Sequence, residues 1–254
     1  MQRLMLLFEI PYAGKSIAAS SIVGRHHLIK KVLRQGSPNV NIGLETMANV
    51  SLSWLENYLF IKPDKYVTGH AAYSVGLWSI LQEKRYKAIQ VIRHPAAILS
   101  SWANYIVEPG YYWNDAHNFL SSISKYERLK FLILGGTIKD SSYFGLRNIF
   151  EKANGWFANP EVLTIRFEDL VGAKGGGDDE RQFDTIIKIS RHIGLENIKD
   201  DAIKHIQANL FGHTSTFRNG TIDAWRENID DDLVQLLKSQ LAGLGCIFDL
   251  NYDL

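Results

Sequence analysis

Three groups of residues have types and spacings suited to holding an anion and moving a proton. In FEIPYAGKSIAAS (8–20), Gly14, Lys15 and Ser16 fall where an apolar run gives way to a helix-compatible stretch. Backbone N–H groups at a helix N-terminus point toward an anion, the helix dipole adds partial positive charge, and Lys15 with the Ser16 hydroxyl completes a cradle. A Walker A loop needs a glycine five residues before Gly14, where this chain has Glu9. The plainer alternative is a turn with Ser16 capping a helix. In YKAIQVIRHPAAILSSWANYI (86–106), Arg93 ends an apolar run, Pro95 opens a helical pattern and Ser101 stands two turns into it. Arg93 and Ser101 can then face one anion, the guanidinium through a bidentate fork. In DKYVTGHAAYS (64–74), His70 follows another apolar run, 23 residues before Arg93. Imidazole, with an unperturbed pKa of about 6.5, accepts a proton from an attacking hydroxyl at neutral pH. The other seven histidines form no i, i+4 pair enclosing a glutamate, so a zincin site is not supported.

These residues need elements to hold them. Apolar runs rich in β-branched residues predict strands at 4–10, 65–69, 87–92 and 161–167, and amphipathic patterns predict helices at 53–60, 75–84 and 96–107. Strands alternating with helices imply an α/β protein with a parallel sheet flanked on both faces, and in such sheets ligands bind beyond the carboxyl ends of the strands. PYAGKS, GHAAYS, RHPAA and EDL all follow predicted strands. AKGGGDDE (173–180) reads as a mobile Gly-rich loop, with a lid role open to it through the amphipathic helix that follows.

At 254 residues, with no linker-like stretch, the chain is expected to form a single domain over 1–254. The hydrophobic share of 46% is ordinary for a globular protein, and a net charge of +1 gives no overall field toward nucleic acid or an anionic membrane. Cys246 is the only cysteine, which excludes an intramolecular disulfide framework and fits a reducing compartment. The apolar opening is short and broken by Glu9, so it reads as a buried strand rather than a signal peptide. No segment approaches the roughly 20 apolar residues of a bilayer span, so a cytoplasmic location is expected.

The 86–106 segment resembles the 3'-phosphate motif of the PAPS-dependent sulfotransferases, in which an Arg ends a strand and a Ser follows eight residues later on a helix. His94 stands where the family usually has Asp or Asn, and Ala96 and Ala97 replace a charged pair. VLTIRFEDLVG (162–172) is similar to the family's Tyr-Glu-Asp-Leu strand and turn, with Phe167 in the tyrosine's place near the adenine. TSTFRNGTIDAWREN (214–228) resembles the late loop that closes over the 3'-phosphate: Arg218, Gly220 and Trp225 match, while Asn219, Asp223 and Ala224 depart. The resemblance runs from residue 4 to about residue 250 and implies a P-loop-type three-layer α/β/α fold with a central parallel sheet flanked by helices.

It also implies roles. PYAGKS corresponds to the 5'-phosphosulfate loop, formed here by Tyr12, Ala13, Gly14, Lys15, Ser16 and Ile17; the loop's catalytic lysine falls at Tyr12 and its tryptophan at Ile17. Lys15 is our candidate to replace the missing lysine. The resemblance assigns His70 as general base, Arg93, Ser101 and Arg218 as 3'-phosphate ligands, and Phe167, Thr216, Phe217, Asn219 and Gly220 as further nucleotide contacts. The implied reaction is in-line sulfuryl transfer from PAPS as co-substrate, releasing PAP, with Lys15 and Ser16 stabilising the leaving oxygen and no metal. A soluble metabolite or natural product is the expected acceptor, with a hydroxyl or amine as nucleophile, and neither nucleic acid nor membrane is an expected partner. Tyr105, Tyr111, Tyr112, Trp113 and Phe119 could line its pocket or simply fill a core, and Glu108 and Asp115 could favour a cationic acceptor or be solvated charge. Two rivals stay open. One is a P-loop kinase using ATP and magnesium, supported by AGKS but opposed by Glu9 and Arg93; the other is a catalytically degenerate binding protein, motivated by Tyr12.

Overall fold

The computed structural model describes residues 5, 12–17, 39–42, 48–60, 65–108, 114–212 and 220–245. The predicted strands at 65–69, 87–92 and 161–167 appear as β4 (Tyr66–Gly69), β5 (Ile89–Ile92) and β8 (Leu163–Arg166). The predicted helices appear as α1 (Leu52–Tyr58), α2 (Val75–Glu83) and α3 (Pro95–Tyr105). Each starts at a side-chain acceptor for a free first-turn N–H. Ser51 Oγ accepts from Trp54 N–H at 3.2 Å, and Ser74 Oγ accepts from Leu77 N–H at 3.1 Å.

β5 and β8 pair in parallel, Ile89 opposite Leu163 and Ile92 opposite Arg166. Side chains alternate faces along a strand, so Ile92 and Ile165 point to opposite sides of this ladder. Ile92 joins a core built from α3, α5 (Lys125–Leu134), α6 (Leu146–Phe157) and α10 (Asp231–Leu241). Ile165 joins a second core with Ile186 and Ile189 of α8 (Asp179–His192) and Ile203 and Ile206 of α9 (Asp200–Leu210). A third core lies between α1 and α2, around Leu55, Leu59 and Leu77. The ladder that ends in Arg93 is thus covered by helices on both faces.

Two expectations need correction. The first predicted strand, 4–10, lies outside the described residues except for Met5, which is helical; the segment after it, read as a turn from strand to helix, is itself a strand, β1 (Tyr12–Ile17), parallel to β4. Gly14, Lys15 and Ser16 therefore do not form a strand-to-helix turn. Tyr12 lies opposite Tyr66 and Ser16 opposite Thr68, so the Ala13–Lys15 stretch opposes Val67 alone, as a bulge. The parallel pairing expected of the sheet is present in two ladders, β1–β4 and β5–β8, which no backbone pairing joins among the described residues. Two antiparallel ladders, unread in the sequence, accompany them: β2 (Asn39–Ile42) with β3 (Ala48–Ser51), and β6 (Gly135–Ile138) with β7 (Ser141–Phe144).

The second correction concerns AKGGGDDE. α7 (Phe167–Val171) follows β8 directly, and a 3-10 turn at Ala173–Gly175 follows α7. Ala173 N–H donates to Asp179 Oδ1 at 2.8 Å, and Gly177 N–H donates to Gly172 O at 2.8 Å. Buried Gln182 donates to Leu170 O at 2.8 Å. The glycines serve a tight, hydrogen-bonded bracket between α7 and α8.

Candidate functional site

The parallel register fixes what stands at the ends of β5 and β8. Because Ile92 is opposite Arg166, the next residues, Arg93 and Phe167, are neighbours, with the guanidinium carbon 4.5 Å from the ring centroid. Arg93 is half-buried, and its Nη2 donates to Thr221 O at 3.4 Å. Gly220, half-buried, precedes Thr221 on the late loop. Arg93, Phe167 and the Gly220–Thr221 backbone thus come together, while Thr216, Phe217, Arg218 and Asn219 lie outside the described residues. Ser101 is on α3 and exposed, on a side of the helix shared with Asn104 and Tyr105, also exposed.

Sequence reasoning missed the residues that hold this corner. Glu168, buried at 9% exposure, accepts His94 N–H through Oε1 at 2.8 Å, and its Oε2 lies 3.9 Å from Arg166 Nε. One carboxylate therefore ties the end of β8 to the entrance of α3. His94 supplies the cap expected of a carboxylate or carboxamide: its Nδ1 accepts from Ala96 N–H at 3.2 Å. An accepting Nδ1 places the proton of the neutral ring on Nε2. The ring stacks on Trp225, centroids 4.6 Å apart at 15°, and Trp225 is buried with its indole N–H unbonded among the described residues. A pattern of cap residues would not have found His94, since histidine is not among the usual N-cap types. Substituting His94→Ala is expected to destabilise by about 2 kcal/mol, combining cap and stack. His94→Asp should recover the cap part alone. Urea unfolding of the three proteins checks this ordering.

The Gly-rich bracket holds the late loop from beneath. Ile222 N–H donates to Gly175 O at 3.0 Å. A Cβ on Gly175 would lie 1.9 Å from Val171 Cγ1, 2.6 Å from the Phe211 ring and 2.9 Å from Gly220 O, so only glycine lets the loop backbone approach this closely.

The proton-transfer candidates sit on the other parallel ladder. Ser16 and Ile17 lie opposite Thr68 and Gly69, so the end of β1 runs beside the residue from which His70 follows. His70 is exposed. Tyr12, Ala13, Gly14 and Lys15 occupy the bulged stretch, where the extra residues interrupt regular pairing and leave backbone amides out of the ladder. No backbone ladder joins this group to the Arg93 corner among the described residues.

Of the aromatic residues proposed to line an acceptor pocket, Tyr105 and Phe119 are exposed, and Tyr111, Tyr112 and Trp113 lie outside the described residues. Phe119 packs edge-on to Phe131, centroids 5.9 Å apart, on the surface of the helical core. Asp115 pairs with Lys139 at 2.5 Å, both side chains largely exposed, and Glu108 is half-buried. Among the described residues no helix is long and apolar enough to cross a membrane.

No protein-family model matches the chain. No curated protein matches it either. Solved structures do. Mouse sulfotransferase SULT7A1 complexed with PAP aligns over 97% of this chain and 92% of its own, with a TM-score of 0.55 and 14% sequence identity. The parallel strands, the helices around them and this alignment together give the chain a sulfotransferase-like α/β fold.

Proposed function

We propose that the chain is a PAPS-dependent sulfotransferase, acting as a single domain in which the two parallel ladders are parts of one central sheet between helical layers. The observation that carries this reading is the Arg93 corner: a half-buried guanidinium at a strand end, against Phe167 and the Thr221 carbonyl, at the entrance of α3. A half-buried arginine at a strand end is suited to a dianionic phosphate, which its guanidinium meets through a bidentate fork. In this reading Arg93, Ser101 and Arg218 hold the 3'-phosphate of PAPS, with Phe167 and the 216–220 backbone around the nucleoside. A mononucleotide such as ATP has no 3'-phosphate for Arg93 to meet, which is the argument against a kinase.

At the other ladder, His70 takes the proton of the acceptor hydroxyl or amine as its oxygen or nitrogen attacks sulfur. The S–O bond to the 5'-phosphate breaks, and PAP leaves with the bonding pair. Lys15 and Ser16 stabilise the leaving oxygen, with backbone amides of the bulge as further donors. A soluble small molecule is the acceptor class. One finding favours the second reading, a binding protein without catalysis: Tyr12 stands in the place of the family's loop lysine, and the segment is a bulged strand.

Isothermal titration with PAP, and with ATP plus magnesium, separates the classes. PAP should bind and Arg93→Ala should weaken it by about 100-fold, the loss of a charge-assisted pair of hydrogen bonds. PAP binding with turnover lost by at least about 100-fold in His70→Ala identifies the enzyme. PAP binding without donor-dependent turnover identifies the binding protein. Binding of ATP with magnesium but not PAP overturns both readings.

A further inference from the structure

His70 is exposed, so burial does not fix its ring. The backbone on either side of it is fixed. Gly69, before it, is held in β4 by pairing with Ile17 of β1. Ala71, after it, offers its carbonyl to the indole N–H of Trp156 on α6, 2.8 Å away. The tether continues one turn along the same helix, where Tyr73 N–H donates to Lys152 O at 2.8 Å. Lys152 and Trp156 are i and i+4, so one face of α6 grips the whole segment between β4 and α2. Packing reinforces the grip: Trp156 meets Tyr73 edge-on at 5.0 Å and Trp78 at 6.3 Å. A Cβ on Gly155 would fall 2.1 Å from Tyr73 Cδ1, so this residue too is glycine to admit a ring.

We infer that Trp156 is a positioning residue for His70, setting the direction of the imidazole by anchoring the carbonyl immediately after it. The inference rests on the reading of His70 as the base, and extends it to a residue 86 positions away whose indole N–H is the operative group. Backbone held on both sides of an exposed His70 leaves the residue open to solvent, which suits a base that must meet an acceptor arriving from outside.

The test uses the full-length protein and Trp156→Phe, which keeps an aromatic ring against Tyr73 and Trp78 and removes the N–H donor. The His70 ring signals are followed by heteronuclear NMR across a pH titration, assigned by their loss in His70→Gln. Expected are exchange-broadened or shifted His70 signals in Trp156→Phe, with PAP affinity by calorimetry unchanged within about twofold and kcat lowered about tenfold at unchanged KM for PAPS. If Trp156→Phe does not fold, the benzothienyl analogue of tryptophan at position 156, which replaces only the N–H by sulfur, gives the same readout. His70 signals and titration indistinguishable from wild type in the variant overturn the inference. The NMR arm needs neither donor nor acceptor, so a wild-type protein that fails to bind PAP sinks the proposed function separately, while the link between Trp156 and His70 is still decided.

Discussion

Gly175→Ala is expected to weaken PAP binding about tenfold or more while leaving the protein folded. The new methyl group would overlap Val171 Cγ1 and the Phe211 ring, and it would press on the Gly220 carbonyl. Val171 is itself buried and has little room to turn, so strain passes to the Gly220–Ile222 backbone. Overpacking of this kind costs about 1–3 kcal/mol. Part of that is lost stability; the rest is displacement of Thr221, whose carbonyl meets Arg93. Gly176→Ala is the control. Its Cβ would meet nothing within 4 Å, but its φ of +85° is strained for alanine. That variant should lose about 1 kcal/mol of stability with PAP affinity intact. Calorimetry and thermal melting on the two proteins separate displacement of the loop from backbone strain; equal PAP affinity in both would remove Gly175 from the site.

Glu168→Ala is expected to have the largest effect on stability, about 2–3 kcal/mol, because it leaves a buried backbone N–H without its charged acceptor. For a chain of this size that corresponds to a fall in melting temperature of about 4–12 °C. Binding should suffer as well. The lost bond is the one between the end of β8 and the first residue of the turn into α3, so Arg93 loses its fixed bearing. Glu168→Gln keeps an acceptor oxygen for His94 N–H and removes the charge facing Arg166, and should recover at least half of the lost stability. A melting temperature for Glu168→Ala within about 2 °C of wild type would show that the carboxylate does not secure this corner.

What the sequence made legible follows from the range of the forces involved. β4, β5 and β8 were read because short β-branched runs bounded by polar residues have few other uses, and α3 was read because Pro95 marks a helix start without reference to anything distant. The neighbourhood of Arg93 and Phe167 follows once two strands are parallel and in that register. β1 was read as a turn because YAGKSI is not an apolar run and becomes a strand through its pairing with β4. The GGG stretch looked loose because glycine is flexible in isolation; the hydrogen bonds around it run to Gln182, Asp179 and Ile222, which local composition cannot reveal. The bond between Glu168 and His94 was hidden for the same reason: only the fold shows the carboxylate meeting a backbone N–H 74 residues earlier.

That long sequence separation has a consequence for how the protein comes into being. Glu168 reaches back 74 residues to His94, and Arg93 reaches forward 128 residues to Thr221. A chain emerging from a ribosome can form α3 early, but the corner around Arg93 cannot close until residues 163–168 and then 220–225 have been made. Closure of such long loops is entropically slow, and an unpaired β5 edge is exposed meanwhile. The corner around Arg93 is therefore among the last parts of the molecule to assemble, and a ligand that binds only the finished corner would act as a trap for the completed chain.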